Sequence, residues 1–277
     1  MPDIPLLSGF LAGLFGLLIG SFLNVCIHRW PQDLSVVAPR SHCPGCEQQI
    51  AWYDNIPVFS WMFLRARCRH CKQPISWRYP LVELLTAVCF FWFAASLGLT
   101  LACLKYCIFA AMQIGLLFSD LETLLLPDQF TIGGFFVGLA FAPFVPVPDS
   151  TFGFIASLSG SSPGPRASSI GEALLGGILP AGSLWLMGWL FMKFRQKDGL
   201  GFGDVKMIAM VGAFLGLRGA LLTVILGSIA GSVIGLAYIK FTRQDVGDYQ
   251  LPFGTFLGAA ALAVAVTGQN WYWSLFG

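Results

Sequence analysis

Two acidic residues, Asp120 and Asp204, lie at the edges of long apolar segments, where an ionised carboxylate costs several kcal/mol and needs a structural or functional reason. Asp120 follows the uncharged run 108–119. Asp204 ends the segment Gly201-Phe202-Gly203-Asp204, whose glycines allow unusual backbone angles and close approach of another chain. Two carboxyl groups that meet in a semi-dry place share one proton, so one can act as general base on water and the other as general acid on a carbonyl. The pair therefore predicts an aspartic peptidase.

Other acidic residues near the apolar segments have simpler explanations. Glu83 and Glu172 are predicted in the first turns of helices, where a carboxylate offsets the helix dipole. Asp128 follows a proline and resembles an N-cap. An N-cap role is also open for Asp204, although a capping aspartate needs neither neighbouring glycine. Asp120 has no predicted helix N-terminus to stabilise it.

Four of the eight cysteines form two C-x-x-C pairs in the hydrophilic segment 29–79. Four thiolates in two such hairpins can close a tetrahedral shell around Zn²⁺. A short segment with few aliphatic residues gains from the metal the folding free energy that burial does not supply. The predicted ligands are Cys43, Cys46, Cys68 and Cys71.

Two alternatives remain open for these cysteines. They can form disulfides or redox pairs, which a cytoplasmic location disfavours. Alternatively, a neighbouring histidine, His42 or His70, can replace one of the cysteines as a metal ligand. The other four cysteines lie in apolar segments and are predicted to be small buried hydrophobes.

The composition requires a membrane to position these residues. Of 277 residues, 56% are hydrophobic and only 11% are charged, and the mean hydropathy is +0.73, which excludes an ordinary soluble domain. We predict an all-α polytopic membrane protein with about eight transmembrane helices and a small zinc-ribbon-like cytoplasmic insert. The Ser-, Gly- and Pro-rich segment 149–169 is predicted to be a mobile outer loop. The predicted spans are 5–28, 80–98, 101–119, 130–148, 170–192, 205–217, 219–239 and 253–271.

The basic residues predict the orientation of the chain. With the N-terminus outside, the cytoplasmic segments hold most of the lysines and arginines, as the positive-inside rule requires, and both aspartates reach the cytoplasmic face. The net charge of +2 is too small, and the basic residues are too scattered along the chain, to indicate a nucleic-acid partner. The cytoplasmic basic residues would be Arg29, Arg40, Arg65, Arg67, Arg69, Lys72, Arg78, Lys193, Arg195, Lys197, Lys206, Lys240 and Arg243, against Lys105, Arg166 and Arg218 outside.

Several motifs occur in a fixed order along almost the whole chain. They are Gly20-Ser21-Phe22-Leu23-Asn24-Val25, the two cysteine pairs, Asp54-Asn55-Ile56-Pro57, Arg78-Tyr79-Pro80-Leu81-Val82-Glu83, Asp120 through Leu126-Pro127-Asp128, and Gly201-Phe202-Gly203-Asp204-Val205-Lys206. Each motif alone is weak, but the ordered set resembles the type IV prepilin peptidases, the bacterial GxGD membrane aspartyl proteases also called leader peptidase/N-methyltransferases.

The resemblance implies a function and a site. Such enzymes cleave a short basic leader from prepilins or type II secretion pseudopilins and then methylate the new N-terminus with S-adenosylmethionine. It implies that Asp120 and Asp204 are catalytic, with Gly201, Gly203 and Asp128 at the active site. It also implies a bacterial inner-membrane enzyme that contacts prepilin-like substrates and lipid.

Three segments follow from this interpretation: a first transmembrane helix (1–28), a methyltransferase-associated zinc-binding insert (29–79) and a membrane-embedded aspartyl peptidase core (80–277). The residues themselves are silent about methylation, because no GxGxxG or other cofactor fingerprint is present. The family usually has a glycine two residues before the third cysteine. This chain has Ala66 there, whose methyl group is expected to crowd a ligand.

Two other functions fit parts of the sequence. A cation- or proton-coupled transporter could use the intramembrane aspartates, although its polar groups should cross the membrane midplane instead of clustering at one face. Alternatively, the cysteine-rich insert could be a docking module for a pilus-assembly partner, with the membrane helices as an anchor. That hypothesis leaves the GxGD segment without a purpose.

Overall fold

The computed structural model describes residues 3–147, 150–196, 201–242 and 251–268. Within these ranges the chain is helical, and its extended pairing is limited to two isolated β-bridges in the insert. The helices are α1 (Asp3–Arg29), α2 (Phe59–Phe63), α3 (Arg78–Leu97), α4 (Leu101–Thr123), α5 (Asp128–Phe141), α6 (Thr151–Leu158), α7 (Pro165–Arg195), α8 (Phe202–Thr242) and α9 (Phe253–Thr267). Short 3₁₀ turns lie at Trp30–Gln32 and Trp52–Asn55.

Five helices, α1, α3, α4, α7 and α8, are long and apolar enough to cross a membrane, and α9 is a shorter apolar helix. The predicted all-helical, multi-pass fold is confirmed, whereas the count of eight spans stays a prediction. The predicted spans 205–217 and 219–239 form one helix, α8, which bends at Gly216. The φ and ψ of Gly216 are 74° and −176°, a conformation that is almost confined to glycine.

The chain folds as two compact units, Met1–Gly115 and Leu116–Gly277, whose boundary lies within α4. The boundaries predicted at residues 28 and 79 remain a prediction. Of the basic residues used for orientation, Lys197 and Arg243 lie outside the described residues.

In the first unit, α1 packs closely on α3 through glycines spaced three or four residues apart. A Cβ at Gly16 would lie 2.8 Å from the Cα of Ala87, and one at Gly20 would lie 2.6 Å from the Cα of Glu83. Small residues let membrane helices approach in this way, because lipid supplies no hydrophobic force between them. The contact fixes the start of α3, to which the insert is attached.

In the second unit, α8 packs against α5, α7 and α9. Gly176 of α7 and Gly212 of α8 bring their helices into backbone contact, since a Cβ at Gly212 would lie 1.9 Å from the carbonyl oxygen of Gly176. This packing places the first turn of α8, which carries Asp204, beside the loop that follows α4.

The segment predicted as an outer loop, 149–169, contains helix at residues 151–158 and again from residue 165 onward. Helix α6 begins at Thr151, where the Ser150 side chain accepts a hydrogen bond from the amide of Gly153, and α7 begins already at Pro165. Glu172 therefore lies two turns inside α7 and not in its first turn. The dipole explanation given for this residue is wrong.

Candidate active site and metal centre

The two cysteine pairs of the insert fold into hairpins with the same backbone geometry. In the first, the amide of Cys43 donates to the carbonyl of Gln48 (2.9 Å), and in the second the amide of Cys68 donates to the carbonyl of Gln73 (2.8 Å). The residue after each second cysteine has a positive φ, and one β-bridge closes each hairpin. The two hairpins share this geometry because each C-x-x-C segment pairs its own backbone amides and carbonyls within the turn.

The four thiols of these hairpins converge on one point. Their sulfur atoms all lie within 4.8 Å of one another, and the Sγ atoms of Cys43 and Cys71 are 3.7 Å apart. Tetrahedral zinc with Zn–S bonds of about 2.3 Å requires sulfur atoms about 3.8 Å apart, so the donor set fits Zn²⁺. The predicted ligand cluster is brought together, and no histidine joins it among the described residues.

Backbone donors favour the thiolate form of Cys68 in this cluster. The amides of Cys71 and His70 donate to the sulfur of Cys68 and lower the pKa of this thiol to about 6. Because the thiolate is the metal ligand, this arrangement prepares Cys68 for binding. The same hairpin is tied to the preceding segment by Arg69, whose Nε donates to Asp54 (2.8 Å) and lowers the pKa of that carboxyl group.

The backbone of Ala66 explains the usual glycine at its position. Ala66 has a φ of 56°, in the left-handed region that favours glycine, and its carbonyl accepts the amide of Ile75 (2.7 Å) at the closure of the second hairpin. A glycine is thus suited to the turn itself. The structure supports a conformational reason for that glycine, and the crowding of a ligand by Ala66 stays a prediction.

The insert is also bound to the membrane helices of its own unit. The amide of Val58, a residue with a φ of 60°, donates to Oε2 of the buried Glu83 (2.7 Å). Glu83 lies beyond the first turn of α3, so it acts as an acceptor for the insert and not as a partner of the dipole of α3.

Asp120, near the C-terminal end of α4, is buried at 5% exposure, and its carboxylate points to the N-terminus of α9. Its Oδ2 accepts the amide of Thr255 (2.7 Å) and the hydroxyl of Thr255 (3.0 Å). The expectation that no helix N-terminus stabilises Asp120 is wrong, because the stabilising helix lies 135 residues further along the chain.

Asp204 lies in the first turn of α8 and is also buried, at 7% exposure. Its amide donates to the carbonyl of Gly201 (3.1 Å), which begins the helix. A Cβ on Gly201 would lie 3.2 Å from Oδ2 of Asp204. Gly201 therefore keeps space open beside this carboxyl group.

Leu126 packs beside two glycines, Gly203 in the first turn of α8 and Gly254 in that of α9. A Cβ on Gly203 would lie 3.1 Å from the Leu126 side chain, and a Cβ on Gly254 would lie 3.1 Å from the same side chain and 3.0 Å from Cγ of Asp120. Gly203 of the GxGD segment thus allows close packing against Leu126, as its lack of a Cβ predicts.

Asp128 begins α5, and Pro127, not Asp128, is its N-cap. The exposed carboxylate of Asp128 forms an ion pair with Lys206 in α8. This pair ties the start of α5 to the turn that carries Asp204. Asp128 therefore lies next to the GxGD turn, where its carboxylate is paired with Lys206.

Comparison with known proteins identifies the family of the chain. The bacterial peptidase A24 N-terminal domain matches residues 14–97, and the type IV leader peptidase family matches residues 107–236. The chain is 34% identical to a prepilin leader peptidase/N-methyltransferase of Aeromonas hydrophila, an alignment that covers 99% of this chain and 96% of the relative. The chain belongs to the type IV leader peptidase family.

Further relatives carry the same description. A Myxococcus xanthus protein is 40% identical over 87% of this chain and 65% of its own length, and a Pectobacterium carotovorum protein is 34% identical over 88% of both. No solved structure matches the chain. The membership confirms the resemblance read from the ordered motifs and makes the chain a peptidase of this family.

Sequence reasoning missed Thr255 and Gly254. The segment Leu251-Pro252-Phe253-Gly254-Thr255 carried a usable signal, since a proline followed by a helix-starting residue marks an N-terminus with unpaired amides. Nothing in the sequence linked that N-terminus to Asp120.

Proposed function

We propose that this protein removes the basic leader of type IV prepilins or type II secretion pseudopilins by means of an Asp120–Asp204 dyad. The observation that carries the proposal is that Asp120 and Asp204, two buried carboxyl groups far apart in sequence, are brought to the same part of the second unit, where Leu126 packs beside both Gly203 and Gly254. One carboxylate takes a proton from water, and the water oxygen bonds to the scissile carbonyl carbon. The other carboxyl group gives its proton to the carbonyl oxygen. The amide bond then breaks as the first carboxyl group passes the proton from water to the leaving nitrogen, and the second regains its proton from the hydroxyl of the intermediate.

A nearby cleft suits such a substrate. It is apolar, has a volume of about 320 Å³, lies between α5, α7 and α8, and is lined by Phe135, Gly177 and Lys206, the last of which is two residues from Asp204. It would accommodate apolar residues that follow the cut. A basic leader is retained in the cytoplasm by the same charge rule that orients the helices, so the cut falls at the inner face, with the N-terminus of the enzyme outside.

Methylation of the new N-terminus is part of the proposal, since the relatives are described as N-methyltransferases. S-adenosylmethionine would supply an electrophilic methyl group. One observation fits its amino group: Oδ1 of the buried Asn24 has no hydrogen-bond partner within the described part of the chain. Asn24 and the nearby Glu83 would hold this cationic cofactor, and the zinc-bound insert would be fixed beside them by Val58.

The experiment is cleavage of a prepilin-like peptide by purified protein in detergent. Asp120→Asn and Asp204→Asn should each lower kcat by at least about a thousandfold, because each removes one member of a proton-sharing pair. Glu122→Gln is the matched control: Glu122 is an exposed carboxylate two residues from Asp120 and should be dispensable. Normal processing by either asparagine variant would eliminate the dyad mechanism, whereas absence of cleavage by the wild type would favour the transporter. Mass spectrometry of the product, with and without S-adenosylmethionine, tests methylation.

A further inference from the structure

Thr255 contacts Asp120 through two independent donors. Its amide and its hydroxyl both reach the same oxygen, Oδ2, at 2.7 and 3.0 Å. The hydroxyl also lies 3.2 Å from the carbonyl of Leu117, but its single hydrogen can serve one acceptor at a time. The nearer acceptor, which is also the charged one when Asp120 is ionised, is the Asp120 carboxylate.

The start of α9 is built for this contact. Its N-cap is Pro252, which has no side chain able to accept the first free amides of the helix, so Asp120 supplies that acceptor from another helix. Gly254 lets α9 approach closely, since a Cβ there would lie 3.0 Å from Cγ of Asp120. The partial positive charge of the helix N-terminus also favours a carboxylate at this position.

The two aspartates differ in their donors. In the described residues the hydrogen bonds to Asp120 all end on Oδ2, so Oδ1 is left to other partners. The carboxyl group of Asp204 is also buried, and it receives no hydrogen bond from the described part of the chain. A pair that shares one proton keeps its negative charge on the member with more donors.

We propose that Thr255 is a positioning residue that binds Oδ2 of Asp120 and so reserves Oδ1 of Asp120 for the hydrolytic water. Asp120 is then the general base, and Asp204 holds the shared proton that passes to the substrate carbonyl oxygen. This inference rests on the proposed peptidase function and adds to it a division of labour between the two carboxyl groups.

The test compares Thr255→Val, Thr255→Ser and Thr255→Ala with the wild type in the peptide cleavage assay. Valine keeps the shape and the backbone amide but removes the hydroxyl, so kcat should fall about 10- to 100-fold while KM changes by less than about twofold. Serine restores the hydroxyl and should keep kcat within about threefold of the wild type. Alanine should behave like valine.

Thr223→Val is the matched control. Thr223 is buried in α8 and its hydroxyl bonds to the carbonyl of Gly219 in its own helix (2.8 Å), so the same substitution there should leave kcat unchanged. The unfolding midpoint of each variant in detergent shows whether a loss of activity is a loss of fold.

The inference is overturned if Thr255→Val keeps kcat within about threefold of the wild type, if serine is as impaired as valine, or if the loss appears only in KM or in thermal stability. These results are distinguishable from failure of the proposed function. That function fails if Asp120→Asn or Asp204→Asn still cleaves the peptide, whatever Thr255 does.

Discussion

The amide of Leu217 donates a hydrogen bond of 3.0 Å to Oε1 of Glu172, across the contact between α8 and α7. Leu217 follows Gly216, where α8 leaves helical geometry and its backbone groups lose their partners within the helix. Inside a membrane an unpaired amide has no water to bind, so a neighbouring side chain must satisfy it. The other oxygen of Glu172 accepts the amide of Phe152 (2.8 Å) near the start of α6. One buried carboxylate therefore accepts two backbone amides, one at the bend of α8 and one at the start of α6.

Replacing Glu172 should destabilise the second unit. Glu172→Ala leaves both amides without an acceptor and should reduce the free energy of unfolding by about 3 kcal/mol. Glu172→Gln keeps one acceptor oxygen and should cost about 1 kcal/mol. The measurement is the unfolding midpoint in detergent, with Glu122→Gln as the exposed control. Equal midpoints for Glu172→Ala and the wild type would show that water or lipid headgroups satisfy these amides instead.

The local features of the fold could be predicted from the sequence. The long apolar runs predict the helices α1, α3 and α4 to within a few residues, because a helix satisfies its own backbone groups. The C-x-x-C spacing predicts the metal cluster, because each pair places two ligands in one short turn. The family followed from motif order.

Features that join distant segments could not be predicted in this way. Oδ2 of Asp120 and the amide of Thr255 are 135 residues apart, and no local pattern pairs them. Glu172 was misplaced because α7 begins at Pro165, earlier than the apolar run suggests. The sequence predicts a gap between two spans at Arg218, because this polar residue interrupts the apolar pattern, whereas the helix continues there and bends at Gly216 instead.

Metal content provides an independent test of the insert. We expect about one Zn²⁺ per chain in freshly purified protein, measured by elemental analysis, because four thiols lie at tetrahedral spacing. Cys43→Ser should lose the metal, whereas Cys103→Ser, a buried position in α4 outside the cluster, should keep it. Chelation should unfold the insert before it affects peptide cleavage, since the proposed dyad uses no metal. Metal-free native protein would contradict the zinc assignment.

The left-handed φ of Ala66 predicts that a substitution there changes the rate of zinc release from the insert. Ala66→Gly should stabilise the insert by about 1 kcal/mol, because glycine adopts a φ of 56° without the steric cost that a Cβ imposes, and this gain exceeds the extra chain entropy of the unfolded glycine. The readout is the rate at which a colorimetric chelator removes zinc, which should fall. Ala51→Gly is the matched control in the same insert: Ala51 has a φ of −66°, so glycine there brings only the entropic cost and should speed zinc release. Faster zinc loss from Ala66→Gly than from the wild type would mean that the methyl group of Ala66 makes packing contacts worth more than the backbone strain.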